Sequence, residues 1–173
     1  ETLLELKSLF LDAEVRRIAA QWDKNKAHPG WSLGVTSTKS AHKPRNLILQ
    51  LIGDKGKGDH GYEVITSNLR PELNKPYYAA VSVKFNKGGG GTATFVLRDL
   101  SELGKKLQTA SGPFKPNSHF SSKLPLVIGG TWDGLLDDVR LSKTALGEEE
   151  LLLKTNESRP DTWALWRFEK GAF

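Results

Sequence analysis

Leu126-Val-Ile-Gly-Gly-Thr-Trp-Asp-Gly-Leu-Leu-Asp-Asp-Val-Arg-Leu-Ser-Lys-Thr-Ala-Leu146, followed by Gly147 and Glu148-Glu149-Glu150, is the stretch that decides the fold. Leu126 to Ile128 is a short apolar run, and Gly129-Gly130 breaks it with the residue type that tight turns favour. Trp132 closes that turn. Val139 and Leu141 stand two apart, the period of a strand with one buried face. The three glutamates then lead a short helix near residues 148–153, because the positive end of a helix dipole favours acids.

Strand patterns continue outward from this segment. In Tyr77-Tyr-Ala-Ala-Val-Ser-Val-Lys-Phe85, Tyr77, Ala79, Val81, Val83 and Phe85 alternate with Tyr78, Ala80, Ser82 and Lys84, which predicts one buried and one wetter face. Asn86 to Gly91 is a glycine-rich hairpin turn, and Thr92 to Asp99 returns from it. Leu47 to Ile52 is apolar almost throughout and suits a strand covered on both faces. Tyr62 to Ser67 is a short strand, a further one is expected near Lys106-Leu107-Gln108, and Gly112 to Pro125 carries no regular pattern. At the far end, Thr162 to Glu169 alternates Trp163, Leu165 and Arg167 against Ala164, Trp166 and Phe168, the pattern of a closing strand. The first 22 residues fit two patterns. Leu3, Leu4, Phe10, Leu11, Val15, Ile18 and Trp22 follow helical spacing, while Ile18, Ala20 and Trp22 also share one face of a strand against Arg17 and Gln21.

A family resemblance bears on that choice. The run Trp132 to Leu141, with Ala145-Leu146 and Glu149-Glu150-Leu151 behind it, resembles the closing segment of bacterial laminin-G-like domains, members of the concanavalin-A-like lectin and glucanase superfamily. Gln21-Trp22-Asp23 facing Gly30-Trp31-Ser32-Leu33-Gly34, and Leu73-Asn74-Lys75-Pro76-Tyr77-Tyr78, are similar to the same family. The resemblance implies an all-β fold, a two-sheet antiparallel jelly-roll sandwich with one short helix. It also implies strands over Leu3 to Leu6 and Arg17 to Trp22, a closing strand with Trp166 and Phe168 in the core, and an extracytoplasmic setting, whether secreted, periplasmic or at the cell surface. The superfamily mixes lectins, enzymes and adhesion modules, so the fold does not name the function.

Composition narrows the classes. A chain of 173 residues with 38% hydrophobic content is the size of a single domain, residues 1–173. It has no cysteine, which excludes disulfides and thiolate metal sites. The sequence opens on Glu1 without a methionine and has no apolar run near 20 residues, so a piece of a larger exported protein is expected, without membrane insertion. A net charge of +5 favours acidic partners without identifying one, and no nucleic-acid recognition motif accompanies it.

Catalytic chemistry is not visible. Glucanases of the superfamily carry Glu-x-Asp-x-Glu on one strand, which sets two carboxylates on one face about 5–5.5 Å apart; this sequence has no such triplet. Asp137 and Asp138 are adjacent and point to opposite faces of a regular strand, whereas Asp138 and Arg140 share a face and are expected to pair. His28, His42, His60 and His119 have no metal-ligand spacing. Related domains bind calcium on rim loops, but the loop before Asp137 holds one acid, Asp133, and calcium takes six to eight oxygens. Asp54 and Asp59 are the other candidate donors, and otherwise no cofactor is expected.

The expected role is therefore a non-catalytic carbohydrate-binding module acting by aromatic stacking and hydrogen bonds. The candidate ligand-binding residues are Trp22, His42, Lys43, Arg45, Phe114, His119 and Phe120. Trp22 fits either a sugar platform or core, Trp31 fits core, and Phe114 and Phe120 fit either ligand contact or loop anchoring. His42, Lys43 and Arg45, joined by Lys55 and Lys57, would favour an anionic polysaccharide. The alternative is a structural or protein-interaction module that docks on a neighbouring domain.

Overall fold

The computed structural model describes residues 1–10, 14–54, 60–115, 121–155 and 157–169. Two five-stranded antiparallel sheets pack face to face. The first holds β10 (Gly134–Asp137), β1 (Thr2–Leu6), β6 (Pro76–Phe85), β7 (Gly91–Asp99) and β8 (Gln108–Phe114), in that order. The second holds β5 (His60–Thr66), β4 (Leu47–Asp54), β3 (Gly30–Val35), β2 (Arg16–Gln21) and β9 (Val127–Ile128). A hairpin of β11 (Val139–Ser142) and β12 (Thr162–Trp166) follows, and between its strands lie a 3₁₀ turn, Glu148–Glu150, and the short helix α1, Leu152–Thr155. The sequence expectation of an all-β two-sheet sandwich with one short helix matches this architecture.

The sheets meet through side chains that alternate along each strand. Leu4 and Leu6 of β1, Tyr77 and Ala79 of β6, and Ala93, Phe95 and Leu97 of β7 oppose Leu33 and Val35 of β3 and Leu47, Leu49 and Leu51 of β4. β4 is buried along Leu47 to Ile52, as its unbroken apolar run predicts. β6 departs from its predicted pattern: Tyr78 and Ala80, assigned to a wetter face, are also buried, because Leu151 and Leu152 pack over them. Burying two leucines there contributes about 1.5–3 kcal/mol each. The early residues form strands despite their helical spacing. Short strands added to a waiting sheet bury both Leu4 and Ile18, which an isolated amphipathic helix cannot do.

Four local readings are corrected. In β2 the register shifts between Arg17 and Ala19, a bulge that turns Ile18 and Ala19 both to the inter-sheet core and leaves Ala20 and Trp22 on the opposite face. β8 extends to Phe114, so the irregular stretch begins later than Gly112; as an edge strand it tolerates Gly112 and Pro113. β12 ends at Trp166, so alternation stops there, and Phe168, assigned to the core, is 54% exposed. The expected Asp138–Arg140 pair does not form. Asp138 adopts a left-handed backbone, φ 46°, which breaks the alternation between β10 and β11.

Arg140 is instead fully buried against Glu1. Its Nε donates to Glu1 Oε1 at 2.7 Å and its Nη2 to the same oxygen, while further donors reach the carbonyls of Glu150 at 2.7 Å and Glu157 at 3.2 Å. The other Glu1 oxygen accepts from the Tyr78 hydroxyl and from the Leu152 amide, the latter at 2.8 Å. Burial, with the Glu1 carboxylate beside it, pushes the Tyr78 phenol far above its ordinary range. One buried charge pair thus ties β1, β6, β11 and the helical segment together.

Candidate functional site

Of the seven residues singled out from sequence, the five that are described, Trp22, His42, Lys43, Arg45 and Phe114, do not converge. Trp22 is 8% exposed; its indole N–H donates to the Asn25 carbonyl at 2.8 Å, its ring lies 6.0 Å from that of Tyr62, and the Arg17 guanidinium sits 5.3 Å from its centre. A tryptophan so covered offers no face to a sugar. Phe114 is 5% exposed, in the inter-sheet core, and meets Phe85 edge to face at 5.5 Å. Both therefore follow the packing alternative weighed for them. His119 and Phe120 lie outside the described residues, as do Lys55, Lys57 and Asp59.

His42, Lys43 and Arg45 share the loop between β3 and β4, which its own backbone organises. Lys43 and Arg45 take left-handed conformations, φ 65° and 59°. The Thr36 hydroxyl donates to the Lys43 carbonyl, the buried Asn46 amide to the His42 carbonyl at 2.9 Å, and Arg45 to the Pro71 carbonyl at 3.3 Å. The His42 and Lys43 side chains are exposed, yet none of the three lines either of the two cavities described below.

The cationic concavity lies elsewhere, on the outer face of the first sheet. A depression of about 210 Å³ is bordered by Arg98 of β7, Lys105 and Lys106 of the loop after it, and Lys154 of α1, over Leu107, Leu151 and Leu153. Arg98 stands opposite Tyr78 on β6, which directs it away from the core. Its Nε is screened from solvent and has no hydrogen-bond partner among the described residues. The loop is shaped locally. The Asp99 carboxylate accepts from the Ser101 amide at 2.8 Å and hydroxyl at 2.5 Å, which holds its pKa below the ordinary carboxylate value. Gly104 then turns the chain at φ 83°, a conformation that suits glycine, just before the two lysines.

Charge dominates this site. Four cations face one lining carboxylate, Glu148. Lys105 pairs with Glu102 at 3.1 Å and Lys154 with Glu149 at 3.8 Å, and both are exposed pairs of the kind that hold weakly in water. A ligand anion can replace those partners at small cost. Sequence reasoning missed this group because Arg98 and Lys154 belong to different elements brought together only by α1 docking on β7; the Lys105-Lys106 doublet after a glycine was the one local signal.

The second cavity, of about 310 Å³, opens between the ends of β6 and β11 over Trp31 and Leu33. Trp31, read as core, packs against the core and lines this cavity as well. No group of three or more His, Asp or Glu side chains among the described residues is placed to hold a metal ion. Asp133 takes a hydrogen bond from the Ser8 hydroxyl. Comparison with protein-family models, with curated proteins and with solved structures finds no match.

Proposed function

We propose that this sandwich is a non-catalytic binding module for anionic polysaccharide, in an extracytoplasmic protein of laminin-G-like type. The observation that carries the reading is the depression where Arg98, Lys105, Lys106 and Lys154 surround an apolar floor with one carboxylate on the rim. Charge rather than stacking does the recognition, since the lining contains no aromatic residue. Sulfate or carboxylate groups repeated along a glycan would meet Arg98 as a planar two-point donor and the lysines as point charges. The leucine floor would take the C–H faces of a sugar ring. Such a site is screened over about 8 Å at physiological salt, so binding weakens as salt rises.

The test is a glycan array probed with residues 1–173 at low and moderate salt, with and without calcium. Retention of sulfated or uronic polysaccharides over neutral ones, fading with salt and indifferent to calcium, supports the reading. Retention of neutral glycans alone, or none at any salt, overturns it.

A further inference from the structure

The four cations around the 210 Å³ depression are not equivalent. Lys105 is paired with Glu102 and Lys154 with Glu149, whereas the side chains of Arg98 and Lys106 form no hydrogen bond or ion pair among the described residues. Arg98 stands on β7, where backbone pairing with Tyr78 fixes its base, and its Nε is closed off from solvent. A screened donor with no acceptor is a standing cost to the free protein, and an incoming anion removes it. Lys106 is exposed on the loop after β7 and brings its charge to the same depression. An anion placed between these two breaks no existing ion pair.

The number of oxygens on that anion decides how many of these donors it satisfies. The Nε–Nη edge of a guanidinium offers two parallel N–H groups, which a carboxylate meets with both of its oxygens. Both are then spent in the guanidinium plane, and Lys106 gains only a longer-range attraction. A sulfate or phosphate ester is tetrahedral, with three terminal acceptor oxygens. Two of them take the Arg98 edge, and the third stands out of that plane for an ammonium, a compact point charge with rotatable donors. The fourth bond of the ester leads to the sugar, whose C–H face meets Leu107, Leu151 and Leu153. The rim carboxylate, Glu148, repels every anion and so does not discriminate among them.

We infer, building on the anionic-polysaccharide reading above, that this depression selects a sugar bearing a tetrahedral ester oxyanion, sulfate or phosphate, over one bearing a carboxylate. Arg98 grips the anion by two oxygens. Lys106 is the specificity-determining residue, because it takes the third.

The test is calorimetry of the whole chain with dextran sulfate, dextran phosphate and polygalacturonate, matched at one anionic group per sugar, at about pH 5, where phosphate esters carry mostly a single charge. At least one ester polymer is expected to bind about tenfold or more tightly than polygalacturonate, the worth of one further charge-assisted hydrogen bond; the tighter of the two identifies the ester. Lys106→Gln should bring that ratio close to unity. Lys105→Gln removes the same charge from a lysine that is already paired, and should weaken all three polymers while keeping the ratio. Arg98→Lys should weaken all three, since each grips that edge. Equal affinity for esters and polygalacturonate, or a Lys106→Gln variant that weakens all three in proportion, would overturn the inference and leave the broader reading standing. No binding of any of the three would overturn both.

Discussion

Arg140 and Asp138 sit two residues apart and face opposite energetic situations. Arg140 is wholly enclosed, and Arg140→Met would leave the Glu1 carboxylate, 5% exposed, without its charge partner. Removing one member of a buried pair costs about 3–5 kcal/mol, so a large fall in the urea midpoint is expected; a loss below about 1 kcal/mol would mean the pair is as dispensable as a surface one. Asp138 is a carboxylate raised above its ordinary value by burial and by neighbouring Asp137, with Arg167 at 4.0 Å giving partial relief. An acid with a raised native pKa binds protons more tightly when folded. Its contribution is therefore favourable below its unfolded pKa of about 3.9 and is lost as pH rises through the native value. Asp138→Asn keeps a residue type that tolerates φ 46° and removes the charge. It should stabilise the protein at pH 7 by roughly 0.5 kcal/mol, discounted for screening, and the gain should vanish below the carboxylate range. Thermal melts at pH 7 and pH 3 check this. A gain that is equal at both pH values would assign the effect to backbone preference instead.

Among the elements, β10 depends on backbone approach. Gly134 has φ 151°, and a Cβ built there would lie 1.9 Å from the Glu5 carbonyl oxygen that pairs across the ladder. Gly134→Ala must push β10 off β1, and a loss of about 2 kcal/mol or more is expected in chemical unfolding, at the upper end for single substitutions; an unchanged midpoint would show that this edge is not held as described. Strands with an internal pattern, such as β4, β6 and β7, were legible in the sequence because side-chain alternation is local. The exceptions had non-local causes. The β2 bulge places Ile18 and Ala19 on one side because Leu33 and Leu4 wait there, and Tyr78 is buried because a segment more than seventy residues later docks on it. Asp138 lost its expected partner because Glu1, at the other end of the chain, occupies Arg140.

At the scale of the whole molecule, the expectation of two packed sheets held, while the described members of the expected binding set do not meet at one site. Trp22 and Phe114 fitted either ligand contact or packing in the sequence, and both are buried, Phe114 in the inter-sheet core. The cationic depression, by contrast, exists only once α1 lies against β7, a packing event that no window of sequence contains. The most direct measurement is therefore a calorimetric titration of the chain and of Arg98→Ala/Lys106→Ala with dextran sulfate, against neutral dextran, at two salt concentrations. The account predicts binding of the sulfated polymer alone, a steep loss with salt, and at least about a tenfold weaker affinity, or 1.4 kcal/mol, in the double variant at unchanged thermal stability. Equal binding by the two proteins, or binding of neutral dextran, would contradict it.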